Sequence, residues 1–321
     1  MKRALNKIRY NYYFSFIVSQ LIKPFYNILN KIIDNIQKKI WVNGQTVTYD
    51  GFRIRFPKNI GVPYSSNIFW KNTNGFEPEN YRVLKQLFLA SDYFFDVGSN
   101  IGFYSVLAKK NNPQLKVIAF EPIESIFKKN KKFQSINSVK SETYNIALSF
   151  EKSEEEILLP DNINHSGEEE TTATLRKDSW QSRKSHQKHI IQTDTLDAVI
   201  SPHKINIKSR ILIKIDVEDF EAFVLKGMVE TIHKYNPIII CEILKRSRSH
   251  KNKDLLKMVS ELNYALFAIT SQGIFRVQDK DLSKKRIFRD FILIHEKVLN
   301  DSNYISFDEL LHLFDKVHKI S

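Results

Sequence analysis

Two acids close two apolar runs, and the residues after each acid limit what it can do. In YFFDVGSNIGFYS the run ends on Asp96, and Gly98, Ser99, Asn100 and Gly102 follow before a helix-like pattern begins. In VIAFEP the next apolar run ends on Glu121, with Pro122 after it. A glycine-rich turn at a helix N-terminus is suited to a phosphate. The spacing here, however, is G-x-N-x-G rather than the G-x-G-x-x-G of dinucleotide-binding folds. Asp96 would also repel a pyrophosphate, whereas it would attract an ammonium or a sulfonium. Glu121, about twenty residues past the turn, stands where such folds place the acid that accepts ribose hydroxyls. An adenosine with a cationic amino-acid tail meets all three conditions, and that ligand is S-adenosylmethionine. The spacing disfavours NAD. A turn needed only for packing is the simpler alternative for the glycines taken alone.

Three further acids stand at the ends of later apolar runs: Asp216 and Glu218 in LIKIDVED, and Glu242 in PIIICEI. In an open α/β sheet, ligands collect at the carboxyl ends of the strands. Methyl transfer to an alcohol needs alignment of the reacting atoms and a base for the hydroxyl proton. Asp216, Glu218 and Glu242 are the candidate bases. Each has a plainer reading. Asp216 could anchor the cofactor or a loop, Glu218 could favour a helix N-terminus, and Glu242 could be a polar strand end. His165, His186 and His189 lie in a polar interval and read most simply as solvated loop residues. They form no H-E-x-x-H or similar metal signature. Asp216 and its neighbours have the oxygen ligands that Mg²⁺ prefers, but the pattern requires no metal.

The elements that must position these acids follow from periodicity. Strand patterns are YFFDV, KVIAFE, ETYNIAL, RILIKIDV, PIIICEI, YALFAIT and FILIHE; FYSVLAKK, IESIFKKNKKF, FEAFVLKGMVETIHKY and KDLLKMVSEL read as helices. Continuous apolar strands alternating with helices predict an open, mostly parallel sheet covered on both faces. Four regions are expected: a helical arm over 1–39 broken at Pro24; a lead-in of β-hairpins and a helix over 40–90, with turns at Asn43-Gly44 and Asp50-Gly51; the main domain over 91–298, with a polar rim insertion over about 150–208; and a closing helix over 299–321, opened by Ser306 and Glu309 at capping-box spacing.

Composition sets the wider limits. The chain has 321 residues, 42% of them hydrophobic, one cysteine and a net charge of +13. A sizeable core is expected, and Cys241 has no partner for an internal disulfide, which suits a reducing cytoplasm. The positive charge favours acidic partners. No apolar run is long enough to span a bilayer. The lysines and aromatics of residues 1–39 fit an amphipathic segment lying on an anionic membrane, or an arm packed on the domain.

FFDVGSNIGFYS, VIAFEP, NIALS, TDTLD, LIKIDVEDFEAFVLKG and PIIICEI, in this order, resemble the successive motifs of the FkbM-type S-adenosylmethionine-dependent methyltransferases. The resemblance spans about residues 93–270. It implies a class I methyltransferase fold, α/β and Rossmann-like, with seven strands in the order 3-2-1-4-5-7-6 and the last one antiparallel. It also implies O-methylation of a hydroxyl on a sugar or secondary metabolite. By motif, Asp96, Gly98, Ser99, Asn100 and Gly102 would hold the methionine end of the cofactor and Glu121 the ribose. Pro122 and Asn145–Ala147 would border the adenine, and Asp216 would face the transfer centre with Glu218. Ser99 stands where the family most often has Ala, and Asp219 where it most often has Gly. The alternatives are an RNA methyltransferase, favoured by the charge but without an RNA-binding module, and a non-catalytic cofactor-binding protein.

Overall fold

The computed structural model describes residues 12–32, 42–160, 186–217, 220–243, 253–277 and 289–299. The arm contains α1 (Tyr12–Ile22) and α2 (Tyr26–Ile32), joined by a 3₁₀ turn that holds Pro24. β1 (Thr46–Tyr49) and β2 (Phe52–Arg55) form one hairpin on the Asp50-Gly51 turn. Asn43-Gly44 does not make a second: the Asn43 side chain instead ties to Asn59, donating to its Oδ1 (2.8 Å) and accepting from its backbone N–H (2.7 Å). α3 (Val62–Lys71) and α4 (Pro78–Ala90) complete the lead-in.

The alternating region follows, with β3 (Tyr93–Val97), α5 (Phe103–Asn111), β4 (Lys116–Phe120), α6 (Glu124–Ile136) and β5 (Glu142–Tyr144). Next come β6 (Ala147–Leu148), β7 (Ser153–Pro160), β8 (His186–Asp194) and α7 (Leu196–Ile200). The rest comprises β9 (Ile211–Ile215), α8 (Glu221–Lys226), α9 (Val229–Tyr235), β10 (Ile238–Glu242), α10 (Lys253–Glu261), β11 (Tyr264–Thr270), β12 (Gly273–Arg276), β13 (Asp290–His295) and α11 (Glu296–Leu299).

The main sheet runs β12-β11-β13-β10-β9-β3-β4-β5. From β5 to β10 all neighbours are parallel, and β13 is antiparallel to both β10 and β11. Read from β5, this is the order 3-2-1-4-5-7-6 of a class I methyltransferase. The count is eight strands and not the expected seven, because GIFR folds back on β11 and pairs with it antiparallel as β12. Every residue of β3 and β9 is buried. Alternation sends Phe94 and Leu212 into the cluster shared with α4 and α5, and Phe95 and Ile213 into the one on the opposite face.

Two sequence readings change. ETYNIAL is not one strand: β5 joins the main sheet, while β6 pairs with β8 in a separate sheet ordered β6-β8-β7. Asn145 makes the break, its Nδ2 donating to the carbonyls of Glu121 and Pro122, each at 2.8 Å. The polar interval after residue 150 contains two strands that its composition does not announce. β7 carries three glutamates, yet it pairs with β8, where Glu156 meets Lys188 at 3.0 Å and Glu154 meets Gln192 at 2.8 Å. Cross-strand polar pairs of this kind support a solvated strand that hydrophobic alternation does not reveal. Ser306, Glu309 and the closing helix over 299–321 lie outside the described residues except for Leu299, the last residue of α11.

The glycine turn is tight for a reason internal to the fold. Gly98 has φ +74°, and a Cβ there would lie 2.0 Å from the Asp216 carbonyl oxygen at the end of β9. The close approach at this glycine is therefore made by the neighbouring strand. Gly98→Ala is predicted to lower stability by about 3 kcal/mol, from left-handed strain added to overpacking. Gly51→Ala, at φ +80° with nothing within 4 Å, should cost only about 1 kcal/mol. Denaturant unfolding of the two variants checks the difference.

Candidate active site

Register brings the site together. Asp96 on β3 pairs with Lys214 on β9, so the two side chains share one face of the sheet. Lys214 is 6% exposed. Its Nζ donates to Asp216 Oδ2 at 2.8 Å and lies 4.9 Å from the centre of the Tyr104 ring. Burial disfavours this ammonium, but the carboxylates of Asp216, Glu77 and Asp96 outweigh burial and raise its pKa. A lysine inside a central strand is tolerable only with such partners.

Around it stand more acids than cations. Asp96, 1% exposed, accepts from Ser105 Oγ at 2.6 Å. Burial raises its pKa, while Lys214 and the Ser105 hydroxyl pull it down. Glu77 sits at the N-terminus of α4 with φ +36°, a conformation rare outside glycine. Its Oε2 accepts from Tyr104 Oη at 2.6 Å and from Asn80 Nδ2 at 3.3 Å. Burial raises its pKa against the pull of Lys214. Asn80 also hydrogen-bonds Asp290, and its own Oδ1 is buried without a donor.

Glu242 closes β10 and faces Asp290 across the β10–β13 register. Arg289 donates to its Oε1 from Nε at 2.8 Å and also from Nη2. Burial and the nearby Asp216 push Glu242 up to about 7, against the opposing Arg289. Asp216 is the more open of the two: its side chain is 32% exposed, against 15% for Glu242. Asp96, Asp216 and Glu242 thus end three adjacent strands.

Glu121 ends β4, the strand on the other side of β3. Its Oε2 accepts from the backbone N–H of Asn100 at 3.0 Å and its Oε1 from that of Ile123 at 2.9 Å. Those bonds hold the glycine loop to the β4 end. A carboxylate has about four acceptor positions, so two remain for ribose hydroxyls. Burial pushes its pKa up to about 7. From α6, buried Asn130 clamps the loop further, donating to Ser99 Oγ at 3.0 Å and the Asn100 carbonyl at 2.7 Å. At Gly102 (φ +81°), a Cβ would come within 2.6 Å of Asn130 Oδ1.

The other sequence candidates are placed differently. Pro122 and Asn145 border the Glu121 end of the site, joined by the Asn145 amide. Ala147 packs in a small separate core with Ile123, Ile126, Ile157 and Ile191. Glu218 and His165 lie outside the described residues. His186 opens β8, and His189 is exposed on it. Among the described residues, no group of His, Cys, Asp or Glu is arranged to hold a metal ion. Glu77, Tyr104, Asn80, Asp290, Asn130 and Lys214 were not singled out from sequence. For Lys214 a signal existed: it is the one charge inside ILIKI.

The donor set fits the cofactor inferred from sequence. Acids outnumber cations at the strand ends, which favours a ligand carrying a sulfonium and an ammonium. Glu121 keeps acceptor positions for two hydroxyls. Its pKa sets the pH dependence. Between about 4.5 and 7 the native state holds a proton on Glu121 that the unfolded chain has lost, so this group's contribution to stability falls as pH rises. Hydroxyl donors and a cationic ligand favour the ionised form, so affinity for S-adenosylmethionine is predicted to rise between about pH 6 and 8. Glu121→Gln should weaken binding and flatten that rise; calorimetric titration across the range checks both.

Several solved structures are similar to this chain. The crystal structure of methyltransferase FkbM from Methylobacillus flagellatus is 14% identical, with 73% of this chain and 56% of that one covered at a TM-score of 0.38. This chain therefore spans little more than half the length of that protein. The tRNA (uracil-54, C5)-methyltransferase of Pyrococcus abyssi, in complex with S-adenosyl-L-homocysteine, is 10% identical, covering 79% and 44% at 0.38. An rRNA methylase from Streptococcus thermophilus is 10% identical, covering 67% and 93% at 0.36. No curated protein matches. The model of the methyltransferase FkbM domain matches residues 96–268. That match takes in more than half of the chain, from Asp96 in β3 into β11, and the protein belongs to the FkbM methyltransferase family, whose cofactor is S-adenosylmethionine.

Proposed function

We propose that this protein methylates a hydroxyl oxygen of a sugar, glycan or secondary metabolite. The observation that carries the reading is the partly exposed Asp216 carboxylate, held by Lys214 at the centre of the strand ends. S-adenosylmethionine, when bound, supplies an electrophilic methyl carbon on a positive sulfur. The chain's own residues do the rest. Glu121 and the Ser99–Gly102 loop hold the adenosine and the amino-acid tail, and Asp96 and Glu77 hold negative potential beside them. Asp216 would accept the hydroxyl proton while the oxygen takes the methyl group and the sulfur leaves as a neutral thioether, and Lys214 fixes which carboxylate oxygen stays available. Glu242, with a pKa of about 7, is the second carboxylate able to take that proton. Glu218, two residues after Asp216 in sequence, is the third.

The net charge of +13 favours one other acceptor, RNA. The two are separated by incubating the protein with methyl-labelled S-adenosylmethionine and lysate divided into glycan, lipid, RNA and protein fractions. Label in the glycan or small-molecule fraction is expected, and label confined to RNA would replace this reading. In single-turnover assays Asp216→Asn is predicted to slow transfer about a hundredfold or more and to weaken cofactor binding. Glu242→Gln and Glu218→Gln should leave cofactor affinity nearly unchanged. Undiminished transfer by Asp216→Asn would pass the base role to one of those two.

A further inference from the structure

The arm is fixed to the body along one side and apolar on the other. Gln45 holds α1 from the lead-in: its Nε2 donates to Ser19 Oγ at 3.2 Å, and its Oε1 accepts from Gln20 Nε2 at 3.1 Å. Lys23 donates to the carbonyls of Phe69 and Trp70 and lies 4.9 Å from the centre of the Phe69 ring. Tyr26 stacks on Trp70 with ring centres 5.1 Å apart. These contacts leave an outward row in which Tyr13, Phe16, Ile17, Leu21, Phe25 and Ile28 are between 43 and 72% exposed. Tyr13, Ile17 and Leu21 recur every fourth residue along one side of α1, and Phe25 follows at the same interval in the 3₁₀ turn. Of the eleven large hydrophobic residues exposed among the described residues, seven lie in this arm. A concentrated apolar patch on an otherwise polar surface marks an interaction site.

Charge decides what covers it. Residues 1–39 carry eight Lys and Arg against a single acid, Asp34. A second copy of so basic a segment would be repelled, whereas an anionic bilayer attracts it and accepts the aromatic and aliphatic side chains of α1 at its interface. Among the described residues, no helix is long and apolar enough to cross a membrane, so the segment suits lying in the interface plane. We propose that α1 and α2 form a docking surface for an anionic lipid bilayer, which would hold the methyltransferase domain at a membrane surface.

The test is flotation of the full-length protein with vesicles of phosphatidylcholine alone or mixed with phosphatidylserine. A double variant, Ile17→Glu with Leu21→Glu, is run beside it. Both changes are at exposed positions and outside the proposed active site, so unfolding temperature and cofactor binding should match the unaltered protein. The protein is expected to float with the mixed vesicles, at least tenfold less with phosphatidylcholine alone, and less at high salt. The double variant should stay in the dense fraction. Equal flotation of the double variant, or no flotation of the unaltered protein with the mixed vesicles, would overturn the proposal. A concentration-dependent dimer, seen by light scattering and abolished by the two substitutions, would instead assign the face to a second copy.

Discussion

One ammonium inside a central strand organises this molecule. Lys214 lies in the buried centre of a largely apolar parallel sheet, and taking its charge out of water is expensive without partners. The partners come from three separate parts of the chain: Asp96 from β3, Asp216 from the end of β9, and Glu77 from the lead-in before α4. The lysine thus joins the lead-in to the strand ends, and Tyr104, hydrogen-bonded to Glu77 and lying under the ammonium, closes the link. Removing one member would leave the others buried with unbalanced charge, so their geometry is mutually enforced.

Acids outnumber the basic groups at the strand ends, and although burial raises the pKa of Asp96, Glu77 and Glu242, a bound cation would draw each toward its ionised form. A site of this composition favours a cation over a phosphate. Glu121, separated from Lys214 by β3 and tied to the Asn100 and Ile123 amides, adds hydrogen-bond acceptors one strand over. The glycine loop between them is shaped from below by the Asp216 carbonyl against Gly98 and from the side by Asn130 against Gly102. The same peptide that limits Gly98 also carries the Asp216 carboxylate. The tight turn and the candidate base are therefore one local structure.

Much of this was legible in the sequence, but unevenly. Apolar runs ending in acids located Asp96, Glu121, Asp216 and Glu242, because burial from both faces demands continuous hydrophobic strands and ligands meet their polar ends. The strand order came from the family resemblance. The contribution of Glu77 was not legible, since it depends on a tertiary approach between segments more than a hundred residues apart, and nothing near EPEN announces it. Gly98 looked like room for a ligand, whereas the space beside it is filled by the next strand. GIFR was passed over as a strand because it is short and follows directly on β11. β7 was hidden because three successive glutamates near its start mask the buried Ile157 that follows. In ETYNIAL, a side-chain amide bonding to two carbonyls turned one apparent strand into parts of two sheets.

The central claim is that the strand ends form an adenosine site selective for positive charge. Calorimetric titration with S-adenosylmethionine and, separately, with NAD tests it most directly, since both carry adenosine and only NAD brings a pyrophosphate. The account predicts single-site binding of S-adenosylmethionine and no heat with NAD; binding of NAD with none of S-adenosylmethionine would contradict it.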